Sequence, residues 1–386
     1  MPVVGLALAC VLMPVSNRIS PLVLVVTFLA VAMPVVWLET RRAWDELWVR
    51  FAATDRLSRA TWIVVALVLA WSLATLPFGT RPDKAFGSLV SLIALCVVGF
   101  LFLHVSRPDQ SIQNTRVLAV GTILSVALLV AGLFDAVPIP ADESRAMAFN
   151  RPVVFTSLVV WLVALWALET IGGRRGVWVS LAIMAIATIQ TLLSESQSAV
   201  LGLVAGGLGF GIAMVLGRAG VVFGACLAAL ILLIFPFLVA PIVKLLPADV
   251  FTTGFLGAGH SHIRVQIWEQ YALTIQLEPI KGWGFHASRF LPHDEIKAAF
   301  PGTRLDELIY IHPHSVSIQV WVELGFVGAM GFAILALIMG LGLTTLEPRR
   351  RAFAFALYCA VFAISMVSHG FFQSWWIAAI LLLIGA

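Results

Sequence analysis

Residues 199–242 read AVLGLVAGGLGFGIAMVLGRAGVVFGACLAALILLIFPFLVAPI and contain a single charged side chain, Arg218. A helix that crosses the hydrocarbon core of a bilayer needs about 20 mainly apolar residues. The run is therefore long enough for two crossings, and Arg218 is suited to the short loop between them. We predict two membrane-spanning helices here, over residues 199–216 and 220–242.

The rest of the chain repeats this pattern. Of its 386 residues, 61% are hydrophobic and 11% are charged, whereas roughly a quarter of the residues in an ordinary soluble protein are charged. The net charge is only +4 and the basic residues are scattered, so the composition excludes a soluble enzyme, a disordered chain and a nucleic-acid-binding protein. We predict an all-α, polytopic membrane protein with one integral domain, residues 1–386. The twelve predicted spans are 1–15, 20–38, 61–76, 86–105, 117–134, 153–171, 177–193, 199–216, 220–242, 325–343, 352–368 and 371–386.

The basic residues of the short loops predict the orientation of these spans. With the N-terminus in the cytoplasm, the short cytoplasmic loops hold thirteen arginines and the short outer loops hold five basic residues. Because cytoplasmic loops carry an excess of Lys and Arg, this distribution favours both termini inside. The long segment 243–324, between the ninth and tenth spans, then lies on the outer face.

Six of the eight histidines lie in the loop 243–324, whereas the spans carry almost no ionisable side chains. Ion-coupled transporters usually have charges or broken helices at the membrane midplane. The distribution therefore argues against such a transporter and predicts that the active site lies in the outer loop.

The segment IHPHSVSIQVWVELG, residues 311–325, is the most informative part of the loop. Pro313 is expected in the first turn of a helix, and His314 then lies at its N-terminus with a pKa suited to removing a proton from a hydroxyl. Ser315, Gln319 and Glu323 recur every four residues and form one polar stripe. Gly325 is expected to break the helix into an interfacial part, 314–324, and the span 325–343. The alternative is a histidine that only anchors an amphipathic interfacial helix.

A second segment covers residues 261–284. Ser261 is a plausible N-cap for a helix that places Arg264, Trp268 and Tyr271 on one face, and Gly282-Trp283-Gly284 forms a turn that could bring backbone close to a ligand. A guanidinium on a structured outer loop suits a phosphate. The alternative is an arginine bound to lipid headgroups or to Glu269.

Two His-x-His pairs raise the question of a zinc site, since alternate residues of an extended chain point the same way. Neither pair has a third ligand at a fixed spacing, and Pro313 interrupts one of them. The four cysteines all fall inside predicted spans, and we predict that they are small apolar packing residues. We therefore predict no metal site and no cofactor.

Together these segments resemble the superfamily of O-antigen ligases and O-antigen polymerases, which are bacterial envelope glycosyltransferases. The motifs are Arg-x-x-x-Trp (264–268), Pro-x-x-Gly-x-Gly (279–284), and His-x-His (312–314) followed by Gln319 and by Glu-Leu-Gly-x-x-Gly (323–328). The resemblance implies a GT-C-like fold and a metal-independent, inverting transferase of lipopolysaccharide biosynthesis. Its place would be the inner membrane, with the active site facing the periplasm. The implied donor is a glycan on undecaprenyl diphosphate, and the implied acceptor is a sugar hydroxyl of lipid A-core.

The resemblance also implies residue roles. His314 corresponds to the essential histidine of the superfamily, a candidate base, and Arg264 to an arginine that neutralises the diphosphate leaving group. The chain has Ser315 where relatives commonly have Asn, and Gln197 where many ligases have a second arginine. Our hypothesis is that Arg151 supplies the missing charge; the alternative is that Arg151 only anchors the helix at the interface. Acceptor binding or support of the site is assigned to His312, Ser315, Gln319, Glu323, Gln197 and Trp268.

Three further functions stay open. An O-antigen polymerase and a protein O-oligosaccharyltransferase share the fold, the donor and the chemistry, and differ only in the acceptor. A short chain with a single outer loop favours the ligase. A lipid-linked glycan transporter without catalysis is the alternative from a different class, and the scarcity of charge in the spans argues against it.

Overall fold

The computed structural model describes residues 2–12, 21–27, 29, 55–105, 145–194, 196–245, 261–301 and 312–385. Every long element in these residues is a helix, as predicted. The helices are α1 (Pro2–Leu12), α2 (Arg56–Thr75), α3 (Pro82–Val105), α4 (Arg145–Thr170), α5 (Gly173–Leu193), α6 (Gln197–Leu245), α7 (Ser261–Leu277), α8 (His293–Ala299), α9 (Val316–Gly342), α10 (Pro348–Val367) and α11 (Ser374–Gly385). The predicted span 117–134, most of the span 20–38 and the loop stretches 246–260 and 302–311 lie outside the described residues.

Seven of the described helices are long and apolar enough to cross a membrane. The longest, α6, has 49 residues, but Gly217 interrupts it with φ +59°. A Cβ on Gly220 would lie 2.9 Å from the carbonyl oxygen of Ile212, eight residues earlier. Such closeness is impossible in a straight helix, which rises 1.5 Å per residue. The two halves of α6 therefore correspond to the predicted pair 199–216 and 220–242; the total of twelve spans stays a prediction.

Small residues let the helices of the bundle pack closely. A Cβ on Gly206 would lie 2.6 Å from the Trp161 ring on α4, and one on Gly209 would lie 2.7 Å from Cys359 Sγ on α10. Small residues at such contacts are typical of helix packing in membranes. Cys359 is a free thiol, as are the other three cysteines; Cys10 is buried, whereas Cys226 is exposed and does not fit the prediction that all four are packing residues.

The break at Gly325 is present, as the sequence predicts. Gly325 has φ +62° inside α9, and the turn before α8 docks against this break through backbone atoms. Trp283 N–H donates to the Val322 carbonyl at 2.8 Å, and Phe326 N–H donates to the Pro279 carbonyl at 2.8 Å. Gly282 thus lies against the backbone of α9, and Gly284 lies against the backbone of Thr75 and Gly79. The expectation that these glycines bring backbone close to a ligand finds no support here, because protein backbone occupies the space beside both.

Polar contacts are gathered at both ends of the bundle. At one end, Arg350 at the start of α10 forms an ion pair with Glu169 near the end of α4, at 2.7 Å. The opposite end contains the beginnings of α4, α6, α9 and α11 and the ends of α2 and α10. All the residues assigned to the site from the sequence lie near this second end, the one predicted to face outward.

Candidate functional site

The segment between His312 and Ser315 is an irregular turn. Helix α9 begins at Val316 with Ser315 as N-cap, and His314 has the left-handed backbone angle φ +50°. The prediction that Pro313 lies in the first helical turn is therefore wrong. The physical reason is that the Pro313 carbonyl accepts a hydrogen bond from Trp268 Nε1 at 2.9 Å, which holds the turn against α7. Trp268 is thus a positioning residue for both histidines.

The ring of His314 has a defined tautomer. Its Nδ1 lies in a short hydrogen bond with the Ser368 carbonyl, and because a carbonyl can only accept, Nδ1 carries the hydrogen. The lone pair of the neutral ring is then on Nε2. Burial lowers the pKa of His314, and Arg264 lowers it further, whereas the bond to Ser368 raises it. A neutral imidazole with a fixed tautomer suits a proton acceptor.

His312 packs directly against this base, with ring centroids 4.0 Å apart. Burial is the main cause that lowers its pKa to about 3, and nearby His314, Arg289 and Arg151 also lower it. His312 is therefore neutral at physiological pH. Its Nδ1 is buried and has no hydrogen-bond partner among the described residues.

A third histidine, His369, joins the pair and was not foreseen from the sequence. It follows Ser368, the partner of His314, and its ring meets the Trp375 ring edge-on at 4.7 Å. Burial lowers its pKa well below the usual value, and Arg151 is the largest of the charged groups that lower it further. The one available signal in the sequence was a polar residue between two predicted spans, which does not distinguish a site from a loop.

Arg264 and Arg151 approach the histidines from two helices. Arg264 is half-buried, burial lowers its pKa, and no ion pair with Glu269 or any other described residue is present. The guanidinium of Arg151 lies 5.2 Å from the centre of the Trp375 ring. Both arginines lower the pKa of His369, so the two cations and the histidines form one electropositive cluster.

Gln197 is the first residue of α6, and the residue before it contacts the residue before Arg151. Ser196 Oγ donates to Asn150 Oδ1 at 2.6 Å, and Asn150 immediately precedes Arg151. The position where many ligases have an arginine therefore lies beside the proposed replacement.

Glu323 is fully buried and links three segments of the site. Its Oε1 accepts from Ser288 Oγ at 2.5 Å and from Gln319 Nε2 at 3.0 Å, and its Oε2 accepts from His286 N–H at 2.9 Å. Gln319 Oε1 in turn accepts from Phe371 N–H at 2.7 Å. The predicted stripe thus exists for Gln319 and Glu323. The Ser315 hydroxyl is buried and has no hydrogen-bond partner among the described residues, so it does not join the stripe.

A cavity of about 410 Å³ opens beside the histidines. Its lining includes His312, Gln319, Arg151, Arg289, Ser288 and Trp375. Among the described residues, no group of three or more His, Cys, Asp or Glu side chains could hold a metal ion. The cluster as a whole can accept a proton at His314 and stabilise negative charge with guanidinium groups.

Comparison with known proteins extends these observations. A family model described as "O-Antigen ligase" matches residues 181–333, the part of the chain that contains Arg264, the histidine pair and Glu323. A protein of Rickettsia felis named "Putative polysaccharide ligase" is 25% identical over 330 residues, with 81% of this chain and 76% of the relative covered. Proteins with the same description from Rickettsia typhi and Rickettsia bellii are 23% identical over 318 residues and 22% identical over 325 residues, with the same coverage of both chains. No solved structure matches the chain. The family model and the relatives confirm that this chain resembles the O-antigen ligase superfamily.

Proposed function

We propose that this chain is a membrane glycosyltransferase of the O-antigen ligase type. It transfers a glycan from undecaprenyl diphosphate to a sugar hydroxyl of lipid A-core at the periplasmic face of the inner membrane. The observation that carries the proposal is the hydrogen bond between His314 Nδ1 and the Ser368 carbonyl, which leaves Nε2 of a neutral ring as the proton acceptor, beside Arg264 in a buried, cationic cluster. An O-antigen ligase-like chain with such a cluster has a base and a site for a leaving anion.

The chemistry follows from these two groups. His314 Nε2 takes the proton of the acceptor hydroxyl, and the oxygen attacks the anomeric carbon of the donor glycan. The new glycosidic C–O bond forms as the bond from that carbon to the diphosphate oxygen breaks, and the diphosphate leaves with the electron pair. Attack opposite the leaving group inverts the anomeric configuration. Arg264 stabilises the negative charge that develops on the diphosphate, so the step needs no metal ion.

Arg151 is the second cation in this proposal and replaces the arginine missing at Gln197. Two observations support it: the hydrogen bond between Asn150 and Ser196 joins the two positions, and Arg151 acts electrostatically on His312 and His369. If Arg151→Ala keeps full transfer activity while Arg264→Ala abolishes it, Arg151 is an interface anchor instead.

The remaining predicted site residues support this arrangement. Trp268 holds the Pro313 carbonyl, and Gln319 and Glu323 join the segments around the cavity, while His312 and Ser315 stay proposed contacts of the acceptor. We also propose that residues 1–386 form one integral domain with both termini cytoplasmic, and that the loop 243–324 carries the active site. Every proposed site residue lies at the end of the bundle that the distribution of arginines predicts to be outside. This location supports the proposed orientation.

The test is transfer in vitro by the purified protein in lipid nanodiscs with chelator present. A lipid-diphosphate glycan is offered lipid A-core, a second donor molecule or a pilin-like peptide as acceptor. We expect product with lipid A-core alone, none with His314→Ala, and full activity with His293→Ala, which removes an exposed histidine of the same loop.

Each other outcome changes a particular part of the proposal. Product with the second donor alone identifies a polymerase, and product with the peptide alone identifies a protein O-oligosaccharyltransferase. Loss of activity in chelator contradicts metal independence. If His314→Ala moves the donor across a membrane as fast as the native chain and neither transfers glycan, the protein is a transporter.

A further inference from the structure

The cavity beside the histidines contains a cation that the transfer mechanism does not use. Arg289 lines the cavity together with Arg151, and no carboxylate is among its lining residues in the described part of the chain. The other polar lining groups are hydroxyls, amides and the imidazoles of His286 and His312. A cavity with guanidinium groups and uncharged hydrogen-bonding groups suits an anion attached to a hydroxyl-rich molecule.

The backbone around Arg289 is firmly held. Arg289 ends a 3-10 turn, Ala287–Arg289, in which the Ser288 carbonyl accepts from the Tyr271 hydroxyl at 2.7 Å and Ser288 Oγ donates to Glu323. The turn is thus fixed to both α7 and α9. A fixed backbone lowers the entropy cost of holding a side chain against a ligand.

The guanidinium itself is available. Arg289 is exposed and has no hydrogen bond or ion pair within the described residues. Glu323 lies within electrostatic reach, but each of its oxygens already accepts hydrogen bonds from the site. Within the described part of the chain, no group therefore occupies the hydrogen-bond donors of Arg289, which line the cavity.

The position of the cavity relates it to the acceptor. His312 lines it, and the His312 ring lies 4.0 Å from the ring of His314. Arg264, the proposed partner of the leaving group, is not among the lining residues, whereas Arg151, the second cation proposed for the diphosphate, is. A molecule in the cavity therefore lies next to His312, beside the base, where the acceptor hydroxyl must be, and borders the donor's diphosphate at Arg151. Phe372 and Trp375 also line the cavity and offer apolar surface for a sugar ring.

We propose that this cavity binds an acidic sugar of the acceptor, one that carries a carboxylate or phosphate, and that Arg289 is the residue that recognises the acidic group. The inference rests on the proposed glycosyl transfer, since it assigns Arg264 to the donor and Arg289 to the acceptor, with Arg151, which also lines the cavity, at the border between the two. It predicts that the enzyme discriminates acceptors by charge.

A binding experiment without turnover tests the cavity on its own. Galacturonic acid, galactose 6-phosphate and galactose are titrated into the purified protein, with tryptophan fluorescence as the readout because Trp375 lines the cavity. We expect the two acidic sugars to bind at least tenfold more tightly than galactose, since a hydrogen bond to a charged group contributes on the order of a factor of ten or more. Arg289→Gln should remove this preference, Arg289→Lys should keep part of it, and Lys281→Gln, an exposed cation of the same outer segment, should leave it unchanged.

A kinetic experiment separates the acceptor from the donor. With matched acidic and neutral acceptors, Arg289→Gln should raise KM for the acidic acceptor about tenfold and leave KM for the neutral acceptor and for the lipid-diphosphate donor unchanged. If the variant instead raises KM for the donor, or if inorganic diphosphate displaces galacturonic acid in the native chain but not in Arg264→Gln, Arg289 belongs to the diphosphate site and the inference is wrong. Equal binding of acidic and neutral sugars also overturns it. Absence of transfer by the native chain with every acceptor refutes the proposed function, while the fluorescence titration still decides the anion site.

Discussion

Two replacements of Glu323, by Ala and by Gln, should show how many hydrogen bonds its side chain accepts and how much they contribute to stability. Three donors converge on this buried carboxylate: Ser288 Oγ, Gln319 Nε2 and His286 N–H. A buried donor left without a partner costs about 1–3 kcal/mol. Glu323→Ala leaves all three donors unsatisfied, so we expect the free energy of unfolding to fall by about 3 kcal/mol or more.

Glu323→Gln keeps the volume and one acceptor oxygen. That oxygen can still accept from Ser288 and Gln319, but the new amide N–H₂ faces the N–H of His286, so one donor meets another. The expected loss is the cost of one buried donor, about 1–3 kcal/mol. The two variants should therefore differ by the cost of the remaining two donors.

The free energy of unfolding is measured by titration with SDS in mixed micelles, with intrinsic fluorescence as the readout. Glu278→Gln serves as the control, because Glu278 is partly exposed and, among the described residues, forms an ion pair with Lys281 alone, at 3.2 Å. Such pairs contribute about 0–1 kcal/mol. If Glu323→Gln is as stable as the native chain, the carboxylate does not accept three hydrogen bonds and the description of the site as linked through Glu323 is refuted.

Three further predictions concern the base, the leaving group and the docking of the loop. In the proposed mechanism His314 is a neutral base, and burial is the main cause that lowers its pKa. We therefore expect kcat to fall only when the pH drops through that lowered pKa, and an acidic limb of the kcat profile at pH 6.5 or above would contradict the assignment. Arg264→Gln should reduce kcat about 10²–10³-fold, the typical effect of removing one group that stabilises developing charge, and an unchanged kcat with saturating donor would exclude it from the transition state. Gly282→Ala should lower stability by more than about 1–2 kcal/mol, because Gly282 has φ +70° and a Cβ there would lie 2.6 Å from the Glu323 carbonyl carbon. Gly207→Ala is its control, with nothing within 4 Å of the added Cβ, and equal SDS unfolding of both variants would show that the close approach is absent.

The helical architecture was predictable because a bilayer imposes a simple rule on sequence. Apolar runs of the right length mark helices, and this rule also located the two breaks. The run 199–242 is too long for one crossing and turns at Gly217, while the run that begins before Gly325 changes direction there. The sequence named Gly325 as the second break, whereas for the first it predicted only a short loop around Arg218 and did not single out Gly217.

The site was predictable where its residues share one helix and not where they meet across the fold. The spacing of Gln319 and Glu323 fixes their contact, because residues four apart lie on one helix face. The turn at Pro313 was misjudged, since its conformation depends on Trp268, 45 residues away in sequence. His369 was overlooked for the same reason: Arg151 and His314, which act on it electrostatically, come from distant parts of the sequence, and its local sequence contains no pattern.

The contact between Gly282 and Gly325 limits how this protein can be recombined with its relatives. A Cβ on Gly325 would overlap the carbonyl of Ile280, and one on Gly282 would lie within 2.6 Å of the backbone of α9. The outer loop therefore packs closely against the backbone of its own α9. A chimera cut at residues 243 and 324 would transplant the loop without the part of α9 that it contacts. A chimera cut after Gly328 would carry both Gly282 and Gly325. Acceptor preference should be exchangeable between relatives only through the larger graft.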